Sequence, residues 1–322
     1  MPSVNAPRLQ TATYIADPLA FRRRRIELKF QNSNFAAFES GGLAGITNPD
    51  IFKGAVLGAV VGADGWYRLV GSAVMVAPGI ALTATHVLAE YAHYDPSAIS
   101  WTLMSPVEGG LMLWGGRQSF MSAGNDIAIF ASVAASALPP QNLYTTAFPS
   151  TRTPRLGESL MICGFRPQRE KYQDTSQFTI HPYISTGKVT QVFACGRDRV
   201  LMPGPCVELD CHAVGSMSGG PVFDGDGYLV GILSTSLESA QLNGPSYVSL
   251  IWPVIALSFR PHWLTEWLGE QTSLNRCIGK GCSIEREEAV TVLNNAPVYR
   301  EWTTRGSSGF LEIDPKTSGL DS

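Results

Sequence analysis

The sequence has few charged residues and almost no excess of either sign. Asp, Glu, Lys and Arg make up 16% of its 322 residues, against about 25% in an average soluble protein. The 24 basic and 27 acidic residues leave a net charge of −3 at pH 7. This balance offers no electrostatic surplus for nucleic acid or for an anionic membrane surface, so we expect neither as a partner.

Long hydrophobic runs are also absent. The longest apolar stretch, residues 54–63, is short and interrupted by glycine, whereas a membrane-spanning helix needs about 18 apolar residues. The first residues, Met1–Asn5, do not lead into an apolar segment of the length of a signal peptide. These features predict a cytoplasmic protein.

The six cysteines lack the spacing of a metal knuckle or a disulfide framework. Cys206 and Cys211, like Cys277 and Cys282, lie five positions apart, which is wider than the CxxC pattern of zinc sites. We therefore favour reduced thiols over a zinc site formed by Cys206, Cys211 and His212, and we expect no metal.

Glycine and proline, by contrast, are abundant. The 32 glycines and 21 prolines favour many short strands and turns over long helices, which excludes coiled coils and helical bundles. With 44% hydrophobic residues the chain can bury a core, and its length predicts two domains. Short β-prone runs indicate an antiparallel sandwich or barrel; they lie at 55–61, 66–70, 72–76, 80–83, 159–163, 178–181, 187–192, 221–223, 228–233 and 247–250, with helical patterns at 253–259 and 262–268.

Three short segments carry residue types that can act together in catalysis. His86 follows one apolar run, Asp126 stands at the start of another, and Ser218 lies in a glycine-rich turn. A nucleophilic serine needs a base to accept its proton and a carboxylate to orient that base. Each residue alone has an ordinary structural explanation, as a half-buried histidine, a turn aspartate or a hairpin serine. Their joint occurrence in this order favours a catalytic triad.

The same segments resemble those of trypsin-like (chymotrypsin-fold) serine proteases. Thr-Ala-X-His ends at His86, Asn-Asp-Ile-Ala contains Asp126, and Ser-Gly-Gly-Pro begins at Ser218. Their separations, 40 and 92 residues, also agree with that family. The likeness spans about residues 50–260 and is nearest in style to bacterial intracellular or HtrA-like peptidases without a PDZ domain.

The resemblance implies an all-β fold of two antiparallel six-stranded β-barrels with a C-terminal helix and flanking extensions. It divides the chain into an N-terminal extension at 1–48, a first barrel at 49–145 with His86 and Asp126, a second barrel and helix at 146–269 with Ser218, and a C-terminal extension at 270–322. The charge run Arg22–Arg25 in the first extension is interpreted as a solvated segment.

The resemblance also implies the chemistry of a serine endopeptidase. Ser218 would attack the scissile carbonyl and form an acyl-enzyme, His86 would transfer the proton, and Asp126 would orient His86. The backbone N–H groups of Ser216 and Ser218 would form the oxyanion hole. The substrate would be a protein or peptide, and no cofactor is needed.

Two residues depart from the pattern of the family. Ser216 stands where a glycine is usual, so this turn either is collapsed at rest and ordered by a partner or substrate, or simply accommodates the serine. Met217 stands where secreted relatives place the aspartate that receives a freed N-terminal amine. Activation by that route cannot operate here, which leaves the extensions, an activating partner or a ligand.

The specificity pocket is implied by position relative to Ser218. His212 would lie at its base beside Ala213, and the strand Ser234–Thr235–Ser236 would pair with the substrate. A histidine there can donate to a polar side chain of the substrate or merely fill space. Ser236 would narrow the entrance, so we rank a small or polar preference first. Asp210 keeps a basic preference open.

Two other classes of function share these residues. A protease-fold binding protein keeps the scaffold without turnover, although it usually lacks a triad residue and none is missing here. An esterase or acyl transferase uses the same triad, and only the resemblance favours peptides. By analogy with intracellular proteases that have unmatched flanks, we expect narrow specificity.

Overall fold

β-strands form most of the regular structure in the computed structural model. It describes residues 9–13, 39–41, 55–63, 66–77, 79–95, 98–107, 110–122, 124–134, 143–165, 182–236, 244–255, 257–260, 271–274 and 309–311. Within these ranges, no helix has the length and apolar character that a membrane span requires.

The first barrel is a closed ring of six antiparallel strands. Two short strands precede it, β1 (Leu9–Thr13) and β2 (Glu39–Gly41). The barrel strands are β3 (Val56–Ala63), β4 (Trp66–Ala77), β5 (Ile80–Thr83), β6 (Ile99–Val107), β7 (Gly110–Met121) and β8 (Ala128–Ala134), with helix α1 (Thr85–Ala89) after β5. They pair in the order β7-β6-β3-β4-β5-β8, and β7 closes the ring by pairing with β8.

The second barrel has the same architecture. Strand β9 (Leu143–Ala147) precedes it, and its own strands are β10 (Ser159–Phe165), β11 (Pro182–Phe193), β12 (Cys206–Leu209), β13 (Pro221–Phe223), β14 (Leu229–Ser236) and β15 (Ser246–Leu250). Their order is β10-β13-β14-β15-β12-β11, and β10 pairs with β11 to close the ring. The predicted fold of two six-stranded antiparallel barrels is therefore confirmed.

Both extensions contribute strands by backbone pairing. β1 pairs antiparallel with β9, and β2 pairs in parallel with the segment Tyr183–Ser185 of β11. After helix α2 (Trp252–Ile255), the last strand, β16 (Gly309–Leu311), pairs in parallel with β7. The boundaries of the four predicted segments stay a prediction.

The strands predicted at 66–70 and 72–76 are one continuous strand, β4, with a bulge. Gly71 pairs with Ala59 while Leu69 pairs with Val60, so Val70 has no partner across the ladder. A bulge adds one residue to a strand and bends it without ending it. The break predicted at Gly71 is therefore not the end of a strand.

The helix predicted at 253–259 is shorter, because α2 covers Trp252–Ile255 alone. Phe259 pairs instead with Thr272 in a two-way backbone bridge, N–H to O at 2.8 and 2.9 Å. Arg260 precedes a proline, which disfavours helical backbone at that residue. The strand predicted at 178–181 and the helix predicted at 262–268 lie outside the described residues.

The core continues from one barrel into the other. Every residue of β3 is buried, because Leu57 and Val61 face a cluster within the first barrel while Val60 faces one that reaches the second. The largest fully buried side chains include Phe165 and Phe223 of the second barrel, and both belong to the shared cluster. Burial of this kind stabilises by roughly 25 cal/mol per Å², so the seam between the barrels is part of the hydrophobic core.

One charged cluster is buried in the second barrel. Arg152 donates from Nε and Nη2 to Asp224 Oδ2, at 2.9 and 2.7 Å, and from Nη1 to Glu158 Oε2 at 2.9 Å. The Asp224 side chain is 0% exposed. Burial raises the pKa of Glu158, but the hydrogen bonds from Arg152 and the N–H of Arg155 outweigh it and bring the pKa below its usual range.

Removing Arg152 should therefore destabilise the protein strongly. Arg152→Ala leaves the buried Asp224 carboxylate without its cation, and we expect the free energy of unfolding in urea to fall by about 3 kcal/mol. Arg155→Ala removes an exposed arginine three residues away and is expected to change it by less than about 0.5 kcal/mol. Equal effects of the two substitutions would contradict this account.

Candidate active site

His86 and Asp126 are joined by two hydrogen bonds. His86 stands in the first turn of α1, directly after β5, and its backbone N–H donates to Asp126 Oδ1 at 3.0 Å. Its ring Nδ1 lies 2.8 Å from Asp126 Oδ2. Because both carboxylate oxygens bind the same residue, the ring is held in one orientation relative to Asp126.

This pair determines which ring nitrogen of His86 can accept a proton. An ionised carboxylate only accepts hydrogen bonds, so the network assigns the proton of a neutral ring to Nδ1. Nε2 is then left with its lone pair. The Asp126 side chain is 10% exposed and that of His86 46%, so the carboxylate is buried while the ring opens toward solvent.

The turn that carries Asp126 is anchored on the second barrel. Asn125, which is 3% exposed, donates from Nδ2 to the carbonyl of Leu250 in β15 at 3.1 Å. Gly204 packs directly against this turn, since a Cβ there would overlap the carbonyl oxygen of Gly124. The position of Asp126 therefore depends on contacts across the seam.

Ser218 lies in a tight turn pressed against the strand that leads to His86. Gly219 has φ of +86°, and a Cβ there would overlap the carbonyl oxygen of Ser72 and the hydroxyl of Thr83. The N–H of Gly219 donates to the carbonyl of Leu233 at 2.8 Å. Ser218 Oγ donates to the carbonyl of Ser234 at 3.2 Å. The fold thus brings the three predicted segments together. In this arrangement the Ser218 hydroxyl is hydrogen-bonded to a backbone carbonyl.

The backbone of Ser216 is left-handed, with φ of +61°, a conformation otherwise found only at glycines among the residues that the structure describes. Its carbonyl accepts a hydrogen bond from Ser72 Oγ at 2.8 Å. Within the described part of the chain, neither Ser216 N–H nor Ser218 N–H donates a hydrogen bond. The oxyanion-binding role expected for these two N–H groups stays a prediction.

The residues predicted to form the specificity pocket also come together. Ala213 N–H donates to Ser236 Oγ at 3.3 Å, and Ser236 Oγ lies 3.4 Å from His212 Nδ1. The β14 register shifts between Leu233 and Thr235. Ser234 falls at this irregularity and accepts the Ser218 hydroxyl through its carbonyl.

Serine hydroxyls hold the wall behind His212 in place. Ser185 Oγ donates to the carbonyl of His212, and Ser246 Oγ to that of Cys211, both at 2.7 Å. Asp210 Oδ1 accepts the backbone N–H of Lys188 at 2.5 Å.

Cysteines contribute packing to this region. Burial raises the pKa of the Cys211 thiol to about 11 and also raises the pKa of the Cys206 thiol, which disfavours the thiolate form of both. Among the described residues, no three His, Cys, Asp or Glu side chains are grouped closely enough to hold a metal ion.

One residue of the site region, Ser72, carried no signal that we used in the sequence. Ser72 joins the Ser218 turn to the first barrel, since its N–H donates to the carbonyl of Ser218 at 2.8 Å. Thr83 Oγ1 in turn donates to the carbonyl of Ser72 at 2.7 Å. The available signal was a polar residue, Ser72, next to Gly71 within an otherwise apolar strand. It became informative only when the bulge of β4 was known.

Comparisons with known proteins agree with the architecture. The family model described as "Trypsin-like peptidase domain" matches residues 71–232, half of the chain. Among curated proteins, none matches the chain in sequence.

Several solved structures are similar at low identity. The MamO protease domain from Magnetospirillum magneticum is 17% identical, with a TM-score of 0.41, over 62% of this chain and 93% of that one. Deg5 is 17% identical, with a TM-score of 0.42, over 60% and 83%. The HtrA-type protease AlgW with a tripeptide is 17% identical, with a TM-score of 0.43, over 78% and 64%.

The contact at Gly219 can be tested by adding one methyl group. Gly219→Ala places a side chain at positive φ and against two oxygen atoms, so we expect a loss of at least about 1–3 kcal/mol in the free energy of unfolding and weaker labelling by a fluorophosphonate. Gly124→Ala is the matched control, because a Cβ there meets nothing within 4 Å. A Gly219→Ala protein as stable as the control would refute the close approach.

Proposed function

The chain belongs to the family of trypsin-like peptidases, and on this basis and the geometry above we propose that it is a serine endopeptidase with His86, Asp126 and Ser218 as its triad. Family membership makes the protein a serine protease that acts on proteins or peptides. The individual roles of these residues are the proposal.

The pairing of His86 with Asp126 is the observation that carries the assignment. Nδ1 lies 2.8 Å from the carboxylate, which leaves Nε2 as the base and stabilises the imidazolium that forms when it accepts a proton. At rest, Ser218 Oγ donates to Ser234 O. In the proposed mechanism the hydroxyl rotates about the Cα–Cβ bond when substrate binds and then donates to His86 Nε2, since catalytic hydrogen bonds often form only in the substrate complex.

The reaction then follows from these positions. Ser218 Oγ attacks the scissile carbonyl carbon while its proton passes to His86 Nε2, and the N–H groups of Ser216 and Ser218 receive the oxyanion. The C–N bond breaks as His86 gives the proton to the leaving amine, which leaves an acyl ester on Ser218. Water, deprotonated by His86, hydrolyses that ester and restores the serine. No cofactor takes part in this scheme.

We place the specificity pocket above His212. Ser236 Oγ accepts from Ala213 N–H and lies 3.4 Å from both His212 Nδ1 and the carbonyl of Pro245. We assign its proton to His212 Nδ1, which makes Nε2–H the ring's donor. Thr235 lies between the two serines in the strand proposed to pair with substrate. A polar or small side chain of the substrate fits a pocket wall that is lined with serine hydroxyls and has one donor, the His212 ring.

Regulation and location extend the proposal. Four expectations stay predictions: ordering of the Ser216 turn by an activating partner or ligand, narrow specificity, a cytoplasmic location, and the lack of nucleic-acid or membrane partners. The strands that both extensions add to the barrels support a role for the extensions in such regulation.

Substitution of triad residues tests the assignment. Ser218→Ala should abolish peptide hydrolysis and fluorophosphonate labelling, and Asp126→Asn should lower kcat by about 10⁴-fold because the wrong tautomer of His86 is favoured. Ser132→Ala removes a buried hydroxyl bonded to Gly79 O and should leave kcat unchanged.

Other outcomes distinguish the alternative functions. Wild-type protein that cleaves no peptide and is not labelled by a fluorophosphonate, even with a peptide present to order the Ser216 turn, would favour a silent binding protein. Labelling that requires Ser218, with turnover of simple esters or acyl acceptors but of no peptide in a library, would favour an esterase or acyl transferase. Activity that survives in Ser218→Ala would refute the triad.

The pocket assignment predicts a change of specificity on one substitution. Wild type should prefer small or polar residues before the cleaved bond, and His212→Asp should shift kcat/KM toward Lys and Arg because a carboxylate replaces the ring donor. The measurement is a peptide library cleaved by each variant, with the exposed His93→Ala as control. An unchanged profile in His212→Asp would place the pocket elsewhere.

A further inference from the structure

Ser72 stands at a structural irregularity beside the site. It follows the β4 bulge at Val70, is 0% exposed, and is followed along the strand by apolar residues. A bulge often aims a backbone segment or side chain at a functional site, and a buried hydroxyl requires partners.

Each polar atom of Ser72 binds another part of the site. Its N–H donates to the carbonyl of Ser218 at 2.8 Å, and its own carbonyl accepts the hydroxyl of Thr83. Its Oγ donates to the carbonyl of Ser216 at 2.8 Å and accepts the N–H of Phe165 at 3.1 Å. The nucleophile, the adjoining turn, the strand before His86 and the second barrel thus meet at one residue.

The direction of the hydroxyl bond is determined by its partners. An amide N–H can only donate, so Phe165 occupies a lone pair of Ser72 Oγ. The single hydroxyl proton is then committed to the carbonyl of Ser216. Since Met217 N–H donates to Val214 O at 3.2 Å, the peptide between Ser216 and Met217 is held on both sides.

We propose that Ser72 is a positioning residue that holds Ser216 in its left-handed conformation, and through it the oxyanion-binding N–H groups. A side chain at φ of +61° disfavours this backbone, whereas glycine would adopt it freely. The Ser72 hydroxyl supplies the restraint that a serine needs here, while the Ser72 N–H restrains Ser218. The inference rests on the proposed function, because it concerns how that site stabilises its transition state.

Removing the hydroxyl should impair turnover more than binding. Ser72→Ala keeps the backbone contacts and loses the Oγ bonds, so we expect kcat on a peptide amide to fall by about 10- to 100-fold, less than the loss of a whole oxyanion donor. KM should change by less than about threefold. The inhibition constant of a peptide boronate, which mimics the tetrahedral intermediate, should rise in parallel with the loss of kcat.

A double-mutant cycle with Ser216→Gly separates this role from general destabilisation. Glycine does not need the restraint, so the effect of Ser72→Ala on kcat should be several-fold smaller in the Ser216→Gly background than in wild type. Ser105→Ala is the matched control, since it removes another fully buried hydroxyl, bonded to Val56 O in the same barrel. It should leave kcat unchanged.

A second variant keeps the test decisive if Ser72→Ala does not fold. Ser72→Cys fills the space of the hydroxyl with a weak donor and should show the same selective loss of kcat and the same reduction in the Ser216→Gly background. A kcat within twofold of wild type in either folded variant, or an equal loss in both backgrounds, would overturn the proposal. Activity in Ser218→Ala would instead overturn the proposed function, so the two failures are distinguishable.

Discussion

The backbone hydrogen bond from Ser72 N–H to the carbonyl of Ser218, at 2.8 Å, joins the first barrel to the turn of the proposed nucleophile. His86 and Asp126 belong to one closed ring of strands and Ser218 to the other. Among the described residues no strand of one ring pairs with a strand of the other, so contacts across the seam set the distance between these groups. The close approach of Gly219 to Ser72 and Thr83, the shared apolar cluster and the Asn125 bond to Leu250 all serve this constraint.

The chain contains few charged residues, and around the proposed pocket uncharged hydroxyl groups make the hydrogen bonds that hold the structure together. In the second barrel, serine hydroxyls tie the segment at 211–213 to the neighbouring strands through carbonyl and amide partners. Each such bond contributes about 0.5–1.5 kcal/mol and leaves no buried charge to neutralise. Where charge is buried, as at Asp224, the carboxylate accepts hydrogen bonds from the Arg152 guanidinium group and from the N–H groups of Asp226 and Tyr228.

The extensions are attached to the barrels by backbone pairing, which needs no particular side chains. Strand β2 pairs with Tyr183–Ser185, and Ser185 also binds the carbonyl of His212. The N-terminal extension is therefore one strand away from the wall of the proposed pocket. Parallel pairing of β16 with β7 attaches the C-terminal extension to the other barrel.

The sequence by itself determined the class of fold and the three segments of the candidate triad, because alternating apolar runs and glycine-rich turns are local signals. It did not distinguish the bulge at Val70 from the end of a strand, and it did not show that the helix after Ser218 would end at Ile255. Both features depend on partners that are distant in sequence. Ser72 looked like one more residue of a strand. Only the tertiary structure decided that its hydroxyl meets Ser216, 144 positions away, because that contact exists only when two independently closed barrels pack together.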